Sequence, residues 1–327
     1  MPSNRKLVAI VALAALVVAI LTIGLTSLWI RDFDARKSSR EPDRKAQGEP
    51  EAKGPAEPAA TWEGPAFTIH IDASDRSRQV SPTLYGIFFE DINYASDGGL
   101  YAEMVQNRSF EFDNPLFAWS RYVESGGAGT IEAMNDRPLN GNNPTYVLLT
   151  VEEGGFGVGL SNAGYGGMYV ESGRSYDFSV YARAEDAAGS NLSLLVQLLY
   201  DADAELARCE ISGLGSDWQK HGCTLTASGT STKARLLVTA SERGKVALDM
   251  ISLFPQDTWK HRENGLRADL AEMLDELKPS FLRFPGGCIV EGGSIENHYR
   301  WKNTVLPLEE RQVQRNQWAN NYYQSFG

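Results

Sequence analysis

Between Asn114 and Pro255, apolar side chains recur at every second position in one short segment after another. Tyr176, Phe178, Val180 and Ala182 form one series and Leu192, Leu194, Val196, Leu198 and Tyr200 a second; Ala234, Leu236 and Val238 follow, then Val246, Leu248 and Met250. Successive side chains of a strand point to opposite faces, so this period buries one face of each strand and wets the other. Several such strands, separated by Gly, Ser and Asp turns, must cover their apolar faces with a second sheet. That makes the stretch a β-sandwich.

The flanks carry other patterns. Thr83 to Phe89 is nearly all apolar on both faces, as a buried parallel strand is, and it ends in Glu90-Asp91. Beyond the sandwich, Leu266, Leu270, Met273, Leu274 and Leu277 have the spacing of the buried face of a helix. Lys278-Pro279 stops that helix, because proline donates no hydrogen bond and its ring clashes with the carbonyl four residues back. Ser280 to Phe284 reads as a second short strand. Pro285-Gly286-Gly287 then turns the chain sharply, with two glycines free to take positive φ and to approach a ligand closely. Taken alone, that turn is a tight connection around a small buried cysteine, Cys288. Two strands delivering polar groups at their C-terminal ends are also how parallel α/β sheets build sites. Phe67 to Ile71 alternates as a short strand ahead of a polar turn at Asp72 to Arg78. Gly98-Gly99 before Leu100, Met104 and Val105 fits a first helix or its loop.

Three stretches, SPTLYGIFFEDINYASDGGLYAEMVQNRSFEF (Ser81 to Phe112), FLRFPGGCIVEG (Phe281 to Gly292) and YRWKNTVLPLEER (Tyr299 to Arg311), resemble the α-L-arabinofuranosidases of glycoside hydrolase family 51, particularly the plant-type branch. The resemblance covers about the N-terminal half of such an enzyme. It implies an α/β plus all-β fold: a partial (β/α)8 barrel, first two strands only, interrupted by a jelly-roll sandwich like a carbohydrate-binding module. Ahead of that fold, the residues themselves read as a transmembrane signal anchor over 1–31 and a linker over 32–62. Residues 63–113 hold the N-terminal strand and first barrel unit, 114–257 the sandwich and 258–327 a second, truncated barrel unit.

The implied activity is exo-acting release of terminal arabinofuranose from hemicellulose or pectin side chains, with retention. Retaining hydrolysis needs two carboxyl groups about 5–5.5 Å apart. In the family these glutamates end the fourth and seventh barrel strands, which the chain does not reach, so it is expected to be inactive by itself and to fold poorly in its barrel part. Glu90 matches a glutamate that binds arabinose hydroxyls, Cys288 a position lining the same pocket, and Trp301 is placed to wall it. From the residues alone, Glu90 is equally a helix-capping or Arg283-paired carboxylate, Trp301 equally a packing residue, and Glu90 with Glu291 a conceivable carboxylate pair. On the sandwich, Tyr165, Tyr169, Tyr181 and Trp218 are available to stack on sugars or to fill core and edge positions.

An excess of acid, formal charge −11, argues against nucleic acid as a partner. His70, His221, His261 and His298 lack the spacing of a metal site, and no phosphate-cradling glycine loop precedes a helix, so no metal or cofactor is expected. Cys209 and Cys223 lie in two strand-like segments and form either one bridge in an oxidising compartment or two free thiols. Asn107 and Asn191 begin glycosylation sequons, the first inside a family motif, where a structural role is expected.

Leu7 to Ile30 is a 24-residue uncharged run, long enough to span a bilayer and without a small-residue cleavage site behind it; it reads as an uncleaved signal anchor rather than a cleaved signal. Asp32 to Thr61, rich in Glu, Lys, Pro and Ala, reads as a disordered tether, with structure resuming near Trp62. Arg31, Arg36, Lys37 and Arg40 outnumber Arg5 and Lys6, which favours a cytoplasmic body; the implied substrate places the body outside, anchored or secreted. The partner is then an arabinose-containing polysaccharide or oligosaccharide, with the membrane engaged through the N-terminal helix. The competing readings are a non-catalytic carbohydrate-binding cell-surface protein and a different (β/α)8 glycosidase.

Overall fold

The computed structural model describes residues 68–185, 192–200, 203–316 and 321–323. The apolar run Leu7 to Ile30, the tether, Trp62 and Asn191 lie outside the described residues. Among the described residues no helix is long and apolar enough to cross a membrane. Residues 68–76 belong to a unit of their own. Asp72 organises a turn there, accepting from Ser74 N at 2.9 Å and Ser74 Oγ at 2.6 Å. The strand expected at Phe67 to Ile71 is not formed over 68–71, and Ile69 and Ile71 are exposed. Alternation makes a strand only where a neighbour pairs with it and covers its apolar face.

The second unit begins at Ser77. Strand β1 (Ile87–Phe88) is followed by β2 (Trp119–Val123), β3 (Gly129–Met134), β4 (Tyr146–Val151), β5 (Val158–Asn162) and β6 (Met168–Val170). Then come β7 (Ser175–Ala184), β8 (Leu194–Tyr200), β9 (Ala204–Ile211), β10 (Gln219–Thr226), β11 (Ser231–Ala240) and β12 (Gly244–Pro255). Helix α1 (Ala268–Glu276), β13 (Leu282–Arg283), the single-turn helix α2 (Cys288–Glu291) and an antiparallel pair, β14 (Gln314–Asn316) and β15 (Asn321–Tyr323), complete the order.

Strands β2 to β12 make two antiparallel sheets, ordered β10-β7-β12-β4-β3 and β2-β5-β11-β8-β9, with β6 also paired to β11. Along β7 the buried residues Tyr176, Phe178, Val180, Ala182 and Ala184 alternate with Asp177, Ser179, Tyr181 and Arg183 on the opposite face, where Arg183 is covered as well, and the first set packs on Leu194, Val196, Leu236 and Val238 of the other sheet in one core. The alternation expected to run on to Met250 breaks there. Met250 has φ 49°, and the β12–β7 register shifts between Asp249 and Ser252. This bulge adds a residue and flips the parity, so Val246 and Leu248 before it and Ile251 and Leu253 after it all enter the core. Cys209 on β9 and Cys223 on β10 are bridged, tying the edge strand of one sheet to the edge strand of the other.

The sandwich leaves and re-enters between two strands that are neighbours. β1 pairs in parallel with β13, Ile87 opposite Leu282 and Phe88 opposite Arg283. The backbone ladder runs further than the strands, from Ser280 N on Tyr85 O through Phe89 N on Arg283 O to Asp91 N on Pro285 O at 3.0, 2.9 and 2.7 Å. Both strands are shorter than the sequence pattern predicts, and the first is not buried as that pattern implies: Leu84, Phe88, Phe281 and Leu282 are all about half exposed or more. The face of α1 is likewise open at Met273 and Leu277, with only Ala271 buried. Two short strands offer too little apolar surface to cover a helix stripe and their own faces. Residues 98–100 form a turn, Tyr101 a β-bridge to Leu266 and 102–105 an irregular stretch rather than a helix, and Leu100, Tyr101, Ala102 and Val105 are buried.

Candidate functional site

Glu90 stands two residues past β1, between the last two hydrogen bonds of the backbone ladder. Its Oε1 accepts from Gly287 N at 3.0 Å and Cys288 N at 3.2 Å, the amides that open α2. The local sequence makes this contact possible. Gly286 has φ 135°, a conformation that L side chains resist, and a Cβ there would lie 2.4 Å from Glu90 Cγ. The Pro285-Gly286-Gly287 turn therefore folds over the carboxylate because it has no side chain at the point of approach. Of the readings open for Glu90, capping of the turn is what the structure forms; Arg283 instead lies over the Phe88 ring, 4.6 Å from its centroid.

Cys288 is exposed and is a free thiol, against the expectation of a buried small cysteine. Opening α2 directs its side chain away from the core, and Ile289 is the buried residue of that turn. Glu90 and Cys288 are thus brought together through one backbone hydrogen bond. Trp301 is tied instead to its own 3-10 turn, Trp301–Thr304, through Thr304 Oγ1 on its carbonyl at 2.7 Å, and the residue is 62% exposed. Tyr299 joins that segment to the turn: its N–H reaches Val290 O at 3.2 Å and its ring meets Phe284 edge-on at 6.2 Å. No group of His, Cys, Asp or Glu among the described residues is arranged to hold a metal ion.

Behind the strand end lies a buried charged network for which the sequence reading assigned no role. Glu103 Oε1 accepts from Val105 N at 2.9 Å and Leu253 N at 3.0 Å, while its Oε2 pairs with Arg108 at 3.2 Å, both side chains almost wholly buried. Burial raises the Glu103 carboxyl above its usual range, and Arg108 opposes that rise. Burial also works against the charge of Arg108, but Tyr101, Glu103 and Asp97 around it hold the guanidinium protonated more firmly than usual. Asp97 Oδ1 is buried without a hydrogen-bond partner, and burial pushes that carboxyl up to about 7. The one available signal was the density of charge among apolar residues in Leu100 to Phe112. Asn107, of the first sequon, is buried here, its Nδ2 donating to Pro115 O and Phe117 O at 2.9 and 3.0 Å.

The four sandwich aromatics separate. Tyr165 meets Tyr94 edge-on at 5.4 Å. Trp218 and Tyr146 enclose the buried Arg183 guanidinium, at 4.8 and 5.0 Å from their ring centroids, and Trp218 Nε1 donates to Arg137 O at 3.0 Å. Tyr181 donates to Glu309 Oε1 at 2.7 Å. Of the four, Tyr169 presents its ring to solvent, 56% exposed.

A family model described as the Alpha-L-arabinofuranosidase 1 domain matches residues 273–327. An extracellular exo-α-L-arabinofuranosidase of Streptomyces chartreusis is 44% identical over 281 residues, 80% of this chain and 32% of that protein. α-L-Arabinofuranosidase 1 of Arabidopsis thaliana is 37% identical over 259 residues, 76% of this chain and 38% of that protein. Among solved structures, an arabinose-bound family 51 α-L-arabinofuranosidase superposes with a TM-score of 0.68 at 33% identity, over 75% of this chain and 41% of that one. The chain spans about a third of the length of these curated relatives.

Proposed function

From the membership of this partial chain in the α-L-arabinofuranosidases of glycoside hydrolase family 51, we propose that it contributes the sugar-binding edge of an exo-acting enzyme that removes terminal arabinofuranose from hemicellulose or pectin side chains. The observation that carries this reading is the carboxylate of Glu90, fixed at the end of a parallel strand by two backbone amides. With Oε1 occupied by those amides, Oε2 is left to accept from sugar hydroxyls, and a carboxylate held by the backbone is oriented before the sugar arrives. Cys288 lines the same edge and Trp301 walls it. Hydrolysis then proceeds by double displacement between two glutamates contributed by later strands of a (β/α)8 barrel, of which β1 and β13 are the first two.

In this reading residues 63–113 and 258–327 are barrel units and residues 114–257 an inserted module. The protein acts outside the cell, held by Leu7 to Ile30 as a signal anchor or released, as befits a substrate that is a wall polysaccharide. The test is arabinose release from arabinoxylan and from 4-nitrophenyl α-L-arabinofuranoside by the natural protein isolated from its host. Release of arabinose, with kcat/KM lowered at least about a hundredfold by Glu90→Gln, is expected. Release of a different sugar, or none from either substrate, overturns the reading.

A further inference from the structure

The segment that carries Trp301 is a loop held at both ends. Its neck is closed by Asn297 and Arg315, whose Oδ1···N and Nδ2···O contacts are 3.0 and 3.2 Å. Its far tip, the turn Leu308–Glu310, meets the sandwich. Asn140 and Asn143 both donate their side-chain amides to Glu309 O, the first at 2.7 Å, and Asn142 donates to Glu310 O at 2.7 Å. Tyr181 adds its hydroxyl to Glu309 Oε1. Between neck and tip, Trp301, Val305 and Leu306 face solvent, so little apolar packing holds this stretch in place.

The asparagines sit in the connection between β3 and β4, and Asn140 closes that connection by itself, its Oδ1 accepting from Asn142 N at 2.9 Å and Asn143 N at 3.0 Å. The amide donors are not needed to shape their own loop. Two of them converge on one carbonyl, using both of its lone pairs, and a third takes the next carbonyl. Asn143 is wholly buried in the contact. Such an arrangement fixes the position of the loop tip rather than merely touching it.

We propose that the inserted sandwich is a positioning element for the site: Asn140, Asn142, Asn143 and Tyr181 clamp the tip of the 298–314 loop and so set where Trp301 stands. Its consequence for substrate rests on the arabinofuranosidase reading; the clamp itself does not. Tyr181 and the asparagines touch no substrate. They act through the loop, and their loss is expected to act on sugar binding before it acts on bond cleavage.

Two measurements test this. Hydrogen exchange is followed by mass spectrometry in the 327-residue chain and in its Asn140→Asp/Asn143→Asp and Tyr181→Phe variants. The aspartates keep the side-chain oxygens, including the one that closes the connection, and put a charged carboxylate oxygen that repels the Glu309 carbonyl where each donor was. Exchange over residues 299–311 is expected to rise about tenfold in the double variant and less in Tyr181→Phe, with the exchange of β7, β11 and β12 unchanged. Unchanged exchange over 299–311 overturns the clamp. In the natural full-length enzyme the same substitutions are expected to raise KM for the aryl arabinofuranoside three- to tenfold and leave kcat within twofold. Unchanged KM in an active enzyme whose loop exchanges faster overturns the positioning role. An unsubstituted enzyme inactive on arabinofuranosides refutes the functional reading instead, and the exchange result still decides the clamp.

Discussion

Replacing Cys209 and Cys223 together by alanine tests the inter-sheet bridge quantitatively. The two cysteines are 14 positions apart, so the bond closes a loop of about 15 residues counting both ends. In the chain-entropy account, a loop of that length restricts the denatured ensemble by about 10 cal/mol/K, or about 3 kcal/mol at 25 °C. β9 and β10 lie at the edges of different sheets, and each pairs with only one strand of its own sheet, so no backbone ladder substitutes for the lost bond. The assay is urea unfolding of the oxidised protein followed by far-UV circular dichroism. With m of about 2 kcal/mol/M, the midpoint falls by about 1.5 M, and m itself rises because the unbridged chain expands further on unfolding. Ellman's reagent checks the starting state: one thiol, Cys288, reacts in the native oxidised protein, and three react after reduction and unfolding. A midpoint shift below about 0.3 M with m unchanged would refute the reasoning.

Gly286→Ala forces a methyl group to within 2.4 Å of Glu90 Cγ at a φ of 135°; exchange of the Gly287 and Cys288 amides should quicken at least about tenfold while the sandwich amides stay as they were. Glu103→Ala leaves Arg108 buried and unpaired and strips Val105 N and Leu253 N of their acceptor, costing about 3–5 kcal/mol in urea unfolding, whereas Glu103→Ala with Arg108→Met should recover part of that loss. Asp97 titrates near 7 in the fold against 3.8 in the open chain. A carboxyl raised on folding binds its proton more tightly in the native state, so its contribution makes stability fall as pH rises from about 4 to about 7 and level off above. Asp97→Asn removes that fall, at most about 4 kcal/mol at ~1.4 kcal/mol per pH unit, and the slope from Glu111, also raised to about 7 by burial, remains. Chemical unfolding at pH 4.5, 6 and 8 reads both.

What was legible in the sequence was what repeats. The period-two series from Tyr176 to Val246 located four of the eleven sandwich strands, β7, β8, β11 and β12, because each of these has a neighbour on both edges and a sheet across from it, and burial then follows parity. Parity failed at Met250, since a bulge changes the phase without changing the composition. The helix and strand signals at Leu266 to Phe284 and at Thr83 to Phe89 named the elements and the parallel pairing, but overstated their burial: an apolar residue is buried only where something lies over it. Glu90 with Pro285-Gly286-Gly287 was readable as a pair of strand ends. The contact between them was not, because it depends on a missing Cβ and on two amides that any sequence would supply. The asparagines at 140–143 carried no signal, since a polar turn between strands looks the same whether its donors face water or a carbonyl 169 residues away.

The buried network at Glu103 bears on a problem the topology raises. Pairing β1 with β13 requires closing a loop of about 195 residues, Ile87 to Leu282. The chain leaving for the sandwich and the chain returning from it run side by side. Met104 N reaches Leu253 O, Ile251 N reaches Arg108 O, Ala102 N reaches Gly265 O and Arg267 N reaches Leu100 O, while Glu103 Oε1 takes one amide from each chain. Once these contacts form, β1 and β13 are separated by only about thirty free residues, which lowers the closure cost by about 1.6 kcal/mol. The sheet that presents Glu90 is short and half exposed, with little burial of its own to draw on. A saving of that size is a large part of what two paired dipeptides contribute, so the zippered exit and return are what let a two-strand sheet hold its register across the intervening sandwich.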